Sequence, residues 1–288
     1  MTDHAIGPAR LGIVTPVLTL VPGLHGEWER SGSIDDVVAV ARSADRLGFA
    51  HLTCAEHVAV SADTGRQRGS MFWDPLATLS YLAAVTSQIR LATHVLVLGH
   101  QHPLALAKRY GTLDRLSGGR LVLGVGVGSL QEEFDLLGTP WTDRGARGDD
   151  ALRALRAALS RPTATYHGEF YDFDDVILEP YAVQDRIPIW VGGRTRRSLR
   201  RAVELGDGWA PFGLCLGDIT EILTAAGSHD GLEVVLYTPR PIDPLGDPDA
   251  ARRSLDKAFA AGATKVNVSL QSTSLQHYLE QMEALRDL

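Results

Sequence analysis

The sequence predicts a single-domain (β/α)8 barrel over residues 1–288, and three observations lead to it. Eight short β-rich segments are each followed by at least one amphipathic helical segment. The length of 288 residues fits, because eight βα units in roughly 250 residues or slightly more are typical of this barrel. A doubly wound sheet usually has about five or six strands and an early glycine-rich dinucleotide turn. No such turn follows the first predicted strand, so the closed barrel is favoured.

The first half of the chain supplies four predicted strands. They are Leu11–Pro16, Ala50–Cys54, Arg90–Val97 and Leu121–Val125. The helices that follow them are predicted to begin near Ser33, Asp74, Pro103 and Asp149. Ser33 with Asp36 resembles a capping box, and Gly48 ends that helix. Asp74 and Pro75 supply an N-cap and a proline at the first helical position.

The second half begins with a hairpin-like insertion at Thr165–Glu179, between strands four and five. The remaining strands are predicted at Ile187–Val191, Gly208–Phe212, Glu233–Thr238 and Lys265–Leu270. Their helices are predicted at Thr195–Leu205, Asp218–Ala226, Asp247–Gly262 and Ser274–Leu285. The fifth strand is an apolar run typical of a buried parallel strand. Active sites of such barrels lie on the loops after the carboxyl ends of the strands, so the chemistry is expected there.

Composition excludes several classes of protein. Apolar residues make up 44% and charged residues 22%, as in ordinary globular domains. A net charge of −7 argues against a nucleic-acid binder. Cys54 and Cys215 have no CxxC spacing, which argues against a zinc site or a disulfide framework. No apolar run reaches the ~20 residues of a membrane span, and the N-terminus lacks a signal-peptide pattern, so a cytoplasmic protein acting on small molecules is expected.

Glu56 and His57 follow the second predicted strand directly. A carboxylate beside an imidazole at the end of a barrel strand can hold, donate or accept a proton near neutral pH. A surface Glu-His pair without a function is the alternative interpretation. The position at a strand end makes the two interpretations about equally good.

His100 and His102 follow the third strand with a spacing that can bind a metal ion. Metal-dependent barrel hydrolases place such pairs at a strand end and add further ligands from later strands. The later strands of this chain end in Gly, Val, Pro and Leu. We therefore predict no metal and expect a solvent-facing pair of loop histidines.

Two glycine-rich turns follow the fourth and fifth strands. Gly126–Ser129 closes a GxGxG run, which differs from a dinucleotide-binding GxGxxG because position 129 is serine. Taken alone, this run is better explained as a tight turn that needs glycine for steric reasons. Gly192, Gly193, Arg194 and Thr195 combine two glycines with a helix start, an arrangement that binds anions. Of the five arginines at positions 194–201, only the first is interpreted as functional, and the others as a solvent-facing helix surface.

Several segments that follow one another along the chain have a shared significance. They are Glu56-His57, Pro103 to Gly128, Gln131 to Phe134, Gly138, Arg144-Gly145, Tyr166 to Phe170, Ile187 to Gly193, and Gly206 to Trp209. In their order and spacing they resemble the luciferase-like superfamily of flavin and deazaflavin oxidoreductases, specifically its coenzyme F420-dependent branch. The resemblance runs from the first strand to the eighth.

The resemblance implies that a deazaflavin binds at the carboxyl-terminal mouth of the barrel. Its ring would pack over a non-prolyl cis peptide, which falls at His94-Val95. The turn of Gly126, Val127, Gly128 and Ser129 would contact the ring or the ribityl chain. The phosphate would be held at Gly192, Gly193, Arg194 and Thr195. Glu56 and His57 would lie beside the reacting carbon as catalytic residues.

The sequence therefore predicts an F420-dependent oxidoreductase that transfers a hydride to or from an unidentified small organic substrate. The main alternative is an FMN-dependent monooxygenase of the same superfamily. A metal-dependent barrel hydrolase and a non-catalytic F420-binding protein are weaker alternatives. The resemblance also implies a homodimer, and the apolar helices after strands two and three are the expected interface.

Overall fold

Eight parallel strands close into a barrel, as the sequence predicts, in a computed structural model that describes residues 6–288. Residues 1–5, part of the predicted domain, lie outside the described chain. The described strands are β1 (Leu11–Val14), β2 (His51–Cys54), β3 (Arg90–Val97), β4 (Leu121–Gly126), β5 (Thr163–His167), β6 (Asp172–Ile177), β7 (Ile189–Gly192), β8 (Gly208–Ala210), β9 (Glu233–Tyr237) and β10 (Lys265–Val268). Around the barrel their order is β1, β10, β9, β8, β7, β4, β3 and β2. The pair β5 and β6 forms the predicted hairpin insertion.

Helices connect these strands. In the described chain they are α1 (Ile34–Leu47), α2 (Ala62–Arg68), α3 (Pro75–Val85), α4 (Pro103–Ser117), α5 (Gln131–Leu137), α6 (Arg144–Ala158), α7 (Arg196–Leu205), α8 (Leu216–Ala226), α9 (Pro248–Ala260) and α10 (Leu275–Arg286). Helices α2 and α5 are not predicted from the sequence, because seven residues are too few for a helical period to stand out. Helix α6 begins at Arg144, earlier than the predicted Asp149. Within residues 6–288 no helix has the length and apolar character of a membrane span.

The predicted capping residues act as expected. The Ser33 side chain accepts a hydrogen bond from the Asp36 backbone N–H, and Asp36 bonds back to complete the capping box of α1. Gly48 ends α1 in the left-handed conformation, with φ of 78°. Asp74 caps α3 and Asp247 caps α9, each directly before a proline.

Proline sets the ends of two strands that differ from prediction. β7 begins at Ile189 rather than Ile187, directly after Pro188. β8 ends at Ala210 rather than Phe212, directly before Pro211. Proline has no backbone N–H for the ladder, so it limits regular pairing in a central strand.

The barrel interior carries polar side chains as well as apolar ones. Trp190 fills its centre and is fully buried. His51 of β2 and Asn267 of β10 approach to 2.5 Å between Nε2 and Oδ1. A Cβ atom at Gly12 would lie 2.1 Å from His51 Nε2, so the glycine on β1 leaves the space for this pair. Barrel interiors are usually packed by branched apolar residues, and this interior departs from that pattern.

Candidate active site at the carboxyl end of the barrel

His57 lies at the barrel mouth just after β2, and its ring is held between two side chains. Its Nδ1 lies 2.9 Å from Oε2 of Glu133 on α5. Because a carboxylate only accepts hydrogen bonds, Nδ1 carries the donated proton, and Nε2 is the acceptor of the neutral ring. Phe72 packs edge-on against this ring, with centroids 4.6 Å apart. The His57 side chain is 25% exposed. Nε2 is therefore the atom at which this ring can take or release a proton.

The carboxylate that pairs with His57 is Glu133, and not its neighbour in sequence, Glu56. Glu133 lies 76 positions from His57 along the chain. Its Oε1 accepts a hydrogen bond from the Val58 backbone N–H at 2.6 Å. Burial alone would raise the pKa of Glu133, but the hydrogen bonds from His57 and Val58 outweigh it and hold this pKa below its ordinary value. Glu133 is therefore a carboxylate at neutral pH and presents a negative charge to the imidazole.

Helix α5 is fixed in place by Phe134, the residue after Glu133. A Cβ atom at Gly99 would lie 2.6 Å from the Phe134 ring, and one at Gly128 would lie 2.4 Å from it. These glycines therefore leave the space in which Phe134 is buried between the loops after β3 and β4. This packing brings Glu133 to His57. The signal in the sequence was the segment Gln131–Phe134, which carries the family resemblance and contains this carboxylate.

Glu56 is a second titratable group at the same place, although it is not the partner of the imidazole. Its Oε2 accepts a hydrogen bond from the Val97 backbone N–H at 2.6 Å. Burial raises the pKa of Glu56 to about 7, and the negative charges of Glu133 and Asp74 act in the same direction. A carboxyl group with this pKa is present as both acid and carboxylate at neutral pH. Glu56 can therefore also give or take a proton.

The floor of the mouth is formed where β3 ends. The peptide bond His94–Val95 is cis, which confirms the prediction. His94 is buried, and its Nδ1 lies 2.5 Å from the Tyr237 hydroxyl of β9. Burial lowers the pKa of His94 to about 4, so its ring is neutral at pH 7. His94 is thus bonded to the opposite side of the barrel, whereas Val95 is partly exposed at the mouth.

Glycines of β4 and β7 surround the Val95 side chain. A Cβ atom at Gly126 or at Gly192 would lie 3.1 Å from a Val95 methyl group, and one at Gly124 would lie 3.4 Å away. Side chains at these positions would crowd the floor. Their absence leaves a surface made of Val95 and backbone, which a flat ring system can approach closely. The structure therefore brings together the predicted residues Val95, Gly126 and Gly192.

The remaining predicted residues of the turn after β4 have different surroundings. Gly128 has a φ of +85°, which favours glycine. A Cβ atom at Gly148 would lie 2.6 Å from a Val127 methyl group, so Val127 packs against α6. Ser129 is exposed. Ser129 is therefore the side chain of this turn that is available to a ligand, and Val127 supports the turn from behind.

The turn after β7 leads directly into α7. Gly193 has a φ of +143°, and a Cβ atom there would lie 2.5 Å from the Ser198 Cβ. Thr195 caps the helix, because its side chain accepts a hydrogen bond from the Ser198 backbone N–H at 3.2 Å. Arg194 is exposed and has no ion-pair partner within residues 6–288. Of the predicted phosphate-site residues, Arg194 has a charge available to a ligand, whereas the Thr195 side chain is used to cap α7.

The other arginines of this helix are paired with carboxylates. Ion pairs join Arg196 to Glu221, Arg197 to Asp149, Arg200 to Glu204 and Arg201 to Asp149. Three of them are exposed, as the interpretation of a solvent-facing surface expects. Arg201 is the exception, because its side chain is only 4% exposed and it donates to the Gly145 carbonyl at 3.1 Å. Arg201 therefore joins α7 to the start of α6.

Two arginines of α6 add further positive charge, and one of them contacts the turn after β4. Arg144 donates from Nε to the Gly128 carbonyl at 3.4 Å, and its guanidinium lies 3.6 Å from the Trp141 ring centre. Arg147 lies one turn further along α6, over the ring of Phe170. Both arginines are partly exposed. Neither was assigned a role from the sequence, although Arg144 belongs to the segments that carry the resemblance.

The two loop histidines differ from each other. His102 is exposed and caps α4, because its Nδ1 accepts a hydrogen bond from the Leu104 backbone N–H. His100 does not face solvent as expected; both of its ring nitrogens are buried, and its ring packs against Phe134. Among residues 6–288, no group of three or more His, Cys, Asp or Glu side chains is arranged to hold a metal ion.

These features define a (β/α)8 protein with a candidate ligand site at its carboxyl-terminal mouth. Residues 15–280 match the family model described as luciferase-like monooxygenase. The chain belongs to this family.

Relatives and solved structures extend the comparison. A protein of Mycobacterium tuberculosis strain H37Rv, described as uncharacterized, is 32% identical over 223 residues, which cover 71% of this chain and 79% of the relative. The FMNH(2)-dependent dimethylsulfone monooxygenase of Pseudomonas putida is 29% identical over 186 residues, which cover 63% of this chain and 49% of that protein. Among solved structures, monooxygenase RslO1 from Streptomyces bottropensis matches with a TM-score of 0.75 and 20% identity over 96% of this chain and 98% of its own.

The coenzyme F420-dependent tetrahydromethanopterin reductase of Methanopyrus kandleri matches with a TM-score of 0.71 and 17% identity. This match covers 96% of this chain and 97% of the reductase. At such identities the structural likeness shows the shared barrel fold alone. The proteins that share it include enzymes named for F420 and enzymes named as monooxygenases.

Proposed function

We propose that the chain is an F420-dependent oxidoreductase that transfers a hydride between the deazaflavin and a small organic substrate. The observation that carries the proposal is the hydrogen-bonded pair of His57 and Glu133 at a barrel mouth floored by Val95 and glycine backbone. Coenzyme F420, when bound, would supply the centre that accepts or donates the hydride. The residues of the chain would hold the cofactor, orient the substrate and move its proton.

The residues at the mouth fit such a cofactor in shape and in charge. Val95 would lie under the ring, where Gly126 and Gly192 lack the Cβ atoms that would crowd it. Arg144, Arg147 and Arg194 would face the anionic tail, which carries a phosphate and several carboxylates in F420. The positive charges of Arg144, which bonds to the Gly128 carbonyl, and of Arg194, which follows Gly193 directly, favour an anionic ligand over a neutral one.

His57 would exchange a proton with the substrate at Nε2. When a hydride leaves a substrate carbon that bears a hydroxyl group, the hydroxyl proton must also leave, and the unprotonated Nε2 is the atom that would accept it. In the reverse direction the protonated ring would return the proton. Imidazole exchanges protons in the physiological pH range, which suits both directions. Glu133 would keep Nδ1 as the donor and so keep Nε2 facing the substrate.

Glu56 would be the second proton-exchanging group. Its pKa of about 7 and its bond to the Val97 N–H put a titratable carboxyl next to the floor of the mouth. Its role is either to contact the cofactor or to supply a proton during the reaction. The two roles differ in their consequence, because only the second makes turnover follow the ionisation of Glu56.

An FMN-dependent monooxygenase is the second candidate, and the Pseudomonas putida relative favours it. Titration of the purified protein with F420, FMN and zinc, followed by fluorescence and calorimetry, separates the candidates. Tight binding of F420 with weak binding of FMN supports the proposal. Tight binding of FMN alone supports the monooxygenase, and tight binding of zinc alone supports a metal-dependent hydrolase. F420 binding without turnover on any tested substrate supports a binding protein.

The proposed enzyme would be a homodimer that uses the outer faces of α3 and α4. Tyr81 on α3 is 49% exposed and Leu116 on α4 is 67% exposed, although both side chains are large and apolar. The two helices pack against each other, so both residues belong to neighbouring surfaces. Light scattering at micromolar concentration should give twice the mass of the chain, and a monomer mass would contradict this assembly.

A further inference from the structure

A groove lies on the part of the barrel rim that the predicted cofactor residues do not use. It is lined by residues 23–26 after β1, 239–241 after β9 and 270–272 after β10. These three strands are neighbours in the barrel, in the order β9, β10, β1. We call it the β9–β10–β1 groove. Because it lies at the carboxyl ends of parallel strands, it opens at the same mouth as His57.

The groove is linked directly to the wall of the candidate active site. Leu18 and Leu20, which precede the groove in the loop after β1, are hydrogen-bonded through their backbones to Trp73 and Met71. Phe72, between those two residues, packs against the His57 ring at 4.6 Å. The loop after β1, which lines one side of the groove, is therefore hydrogen-bonded to the segment that packs against the His57 ring.

Arg240 gives the groove a positive charge. It is exposed, it lies between two prolines, and no carboxylate pairs with it in the part of the chain that is described. Flanking prolines restrict the backbone on both sides of the guanidinium. An unpaired guanidinium in a groove is suited to bind a carboxylate or a phosphate, with two parallel hydrogen bonds to its oxygens.

His25 adds an unused hydrogen-bonding atom. Its Nδ1 lies 2.8 Å from the Val21 carbonyl, so Nδ1 is the donor and Nε2 is the acceptor in the neutral ring. That Nε2 is buried and has no partner among the described residues. A buried polar atom without a partner is costly, and a ligand hydroxyl that donates to it would remove the cost.

Close packing holds the loop that carries His25. A Cβ atom at Gly26 would lie 2.5 Å from the Ser272 carbonyl, so only glycine allows this approach. The buried carboxylate of Glu29 accepts hydrogen bonds from the backbone N–H groups of Val17 and Gly26 at 3.0 and 2.7 Å. The Ser272 hydroxyl accepts a hydrogen bond from Trp28 at 2.8 Å and retains its own proton for another acceptor. The groove is therefore shaped before any ligand arrives.

The walls of the groove are apolar. Leu24 is 46% exposed there, and Pro239, Pro241 and Leu270 complete the apolar surface. We propose that the β9–β10–β1 groove binds the substrate as an organic anion: Arg240 holds its carboxylate or phosphate, His25 and Ser272 bond to a neighbouring polar group, and Leu24 covers its hydrocarbon part. The identification of the bound anion as the substrate rests on the proposed function. The binding of an anion in the groove does not depend on the cofactor.

The test measures binding to the cofactor-free protein, with hexanoate, hexanol and inorganic phosphate as probes and ligand-observed NMR as the readout. Hexanoate should bind more tightly than hexanol, because the two differ in charge at one end of a similar chain. Arg240→Gln should weaken hexanoate about tenfold or more and leave hexanol unchanged, since a hydrogen bond to a charged group is lost. Phosphate should compete with hexanoate in the unchanged protein and not in Arg240→Gln. The matched control is Arg42→Gln, an exposed arginine on α1 outside the barrel mouth.

Equal hexanoate affinity in the unchanged protein and in Arg240→Gln would overturn the inference, as would an equal loss in Arg42→Gln. Arg240→Lys, which keeps the charge, should restore part of the affinity. F420 titration of the same Arg240→Gln protein separates this inference from the proposed function. Loss of hexanoate with unchanged F420 affinity supports both proposals. Failure of F420 to bind the unchanged protein sinks the proposed function and leaves the anion site standing.

Discussion

The two halves of the barrel rim differ in whether backbone or side chains form their surface. The half at the ends of β3, β4 and β7 is glycine and backbone around Val95, with Arg144 of α6 and Arg194, just before α7, at its edge. The half at the ends of β9, β10 and β1 is lined by prolines, Leu24 and the side chains of His25 and Arg240. A surface of glycine and backbone lets a flat, rigid ligand approach closely. A surface of loop side chains varies readily between related proteins, so it can be specific for different ligands. The contrast suits a constant cofactor on one half and a specific substrate on the other.

His57 lies where the two halves meet, so its removal should have the largest effect. His57→Ala should lower turnover by about 100- to 10,000-fold, because a positioned acid–base group contributes on that scale. F420 affinity should change only a few fold. Steady-state kinetics and fluorescence titration measure the two effects separately. His229→Ala, at a partly exposed histidine on the loop after α8, is the matched control. Full activity in His57→Ala would show that His57 only lines the pocket and does not transfer a proton.

Glu56 should make the stability of the folded chain depend on pH. Its carboxyl has a pKa of about 7 in the folded chain and an ordinary value of 4.5. The folded protein therefore holds more protons between these values, and this carboxyl destabilises it as the pH rises through that window. Glu56→Gln cannot ionise and should be more stable than the unchanged protein above pH 7, by up to about 3 kcal/mol.

Urea unfolding at pH 4, 5, 6, 7 and 8 measures this difference. At pH 4, below the ordinary pKa of 4.5, the carboxyl is mostly protonated in both states and the difference should fall to nearly zero, which makes each variant its own control. A difference that stays constant with pH would show that the carboxyl charge is not its cause. If turnover also loses its dependence on pH near 7 in Glu56→Gln, the proton-supplying role of Glu56 is favoured over cofactor contact.

Glu133→Gln should be milder than His57→Ala, because it keeps the imidazole and removes only its anionic partner. Turnover should fall roughly 10- to 100-fold, the range found when a residue that orients a metal-binding histidine is changed. Glu132→Gln is the control, since this neighbouring carboxylate bonds to Ser61 instead. Equal losses in both variants would point to a disturbed α5 rather than to the His57 contact.

Arg194→Gln should have the smallest effect and should distinguish the two halves of the rim. F420 affinity should fall about tenfold, the loss expected for one charged hydrogen bond. Arg196→Gln, which loses an exposed ion pair with Glu221, should leave F420 affinity unchanged. Fluorescence titration compares both with Arg240→Gln. A larger loss of F420 affinity in Arg240→Gln than in Arg194→Gln would reverse the assignment of the two halves.

Gly193 is a poor choice for the same test, although its position in the turn suggests it. A side chain there would meet Ser198 and would also strain a backbone at φ of +143°. Ser198 belongs to the cap of α7 and also accepts a hydrogen bond from Trp209. A bulky residue at 193 would therefore disturb folding and ligand binding together.

Local sequence was sufficient for most of the fold. Helix starts such as Ser33 and Asp74, and helix ends such as Gly48, depend on interactions within a few residues. Helices α2 and α5 are not predictable in this way, because seven residues are too few to show a helical periodicity. That omission mattered, since α5 carries Glu133.

The sequence by itself determined the barrel, its hairpin and the loops in which the site would lie, because strand and helix periods and caps are local properties of the chain. Only the tertiary structure decided that His57 pairs with Glu133 rather than Glu56, and that His94 bonds to Tyr237 across the barrel. Burial, which raises the pKa of Glu56, likewise depends on what the rest of the chain brings to it. A closed barrel brings the carboxyl ends of distant strands to one mouth, so partners there are neighbours in space and far apart in sequence.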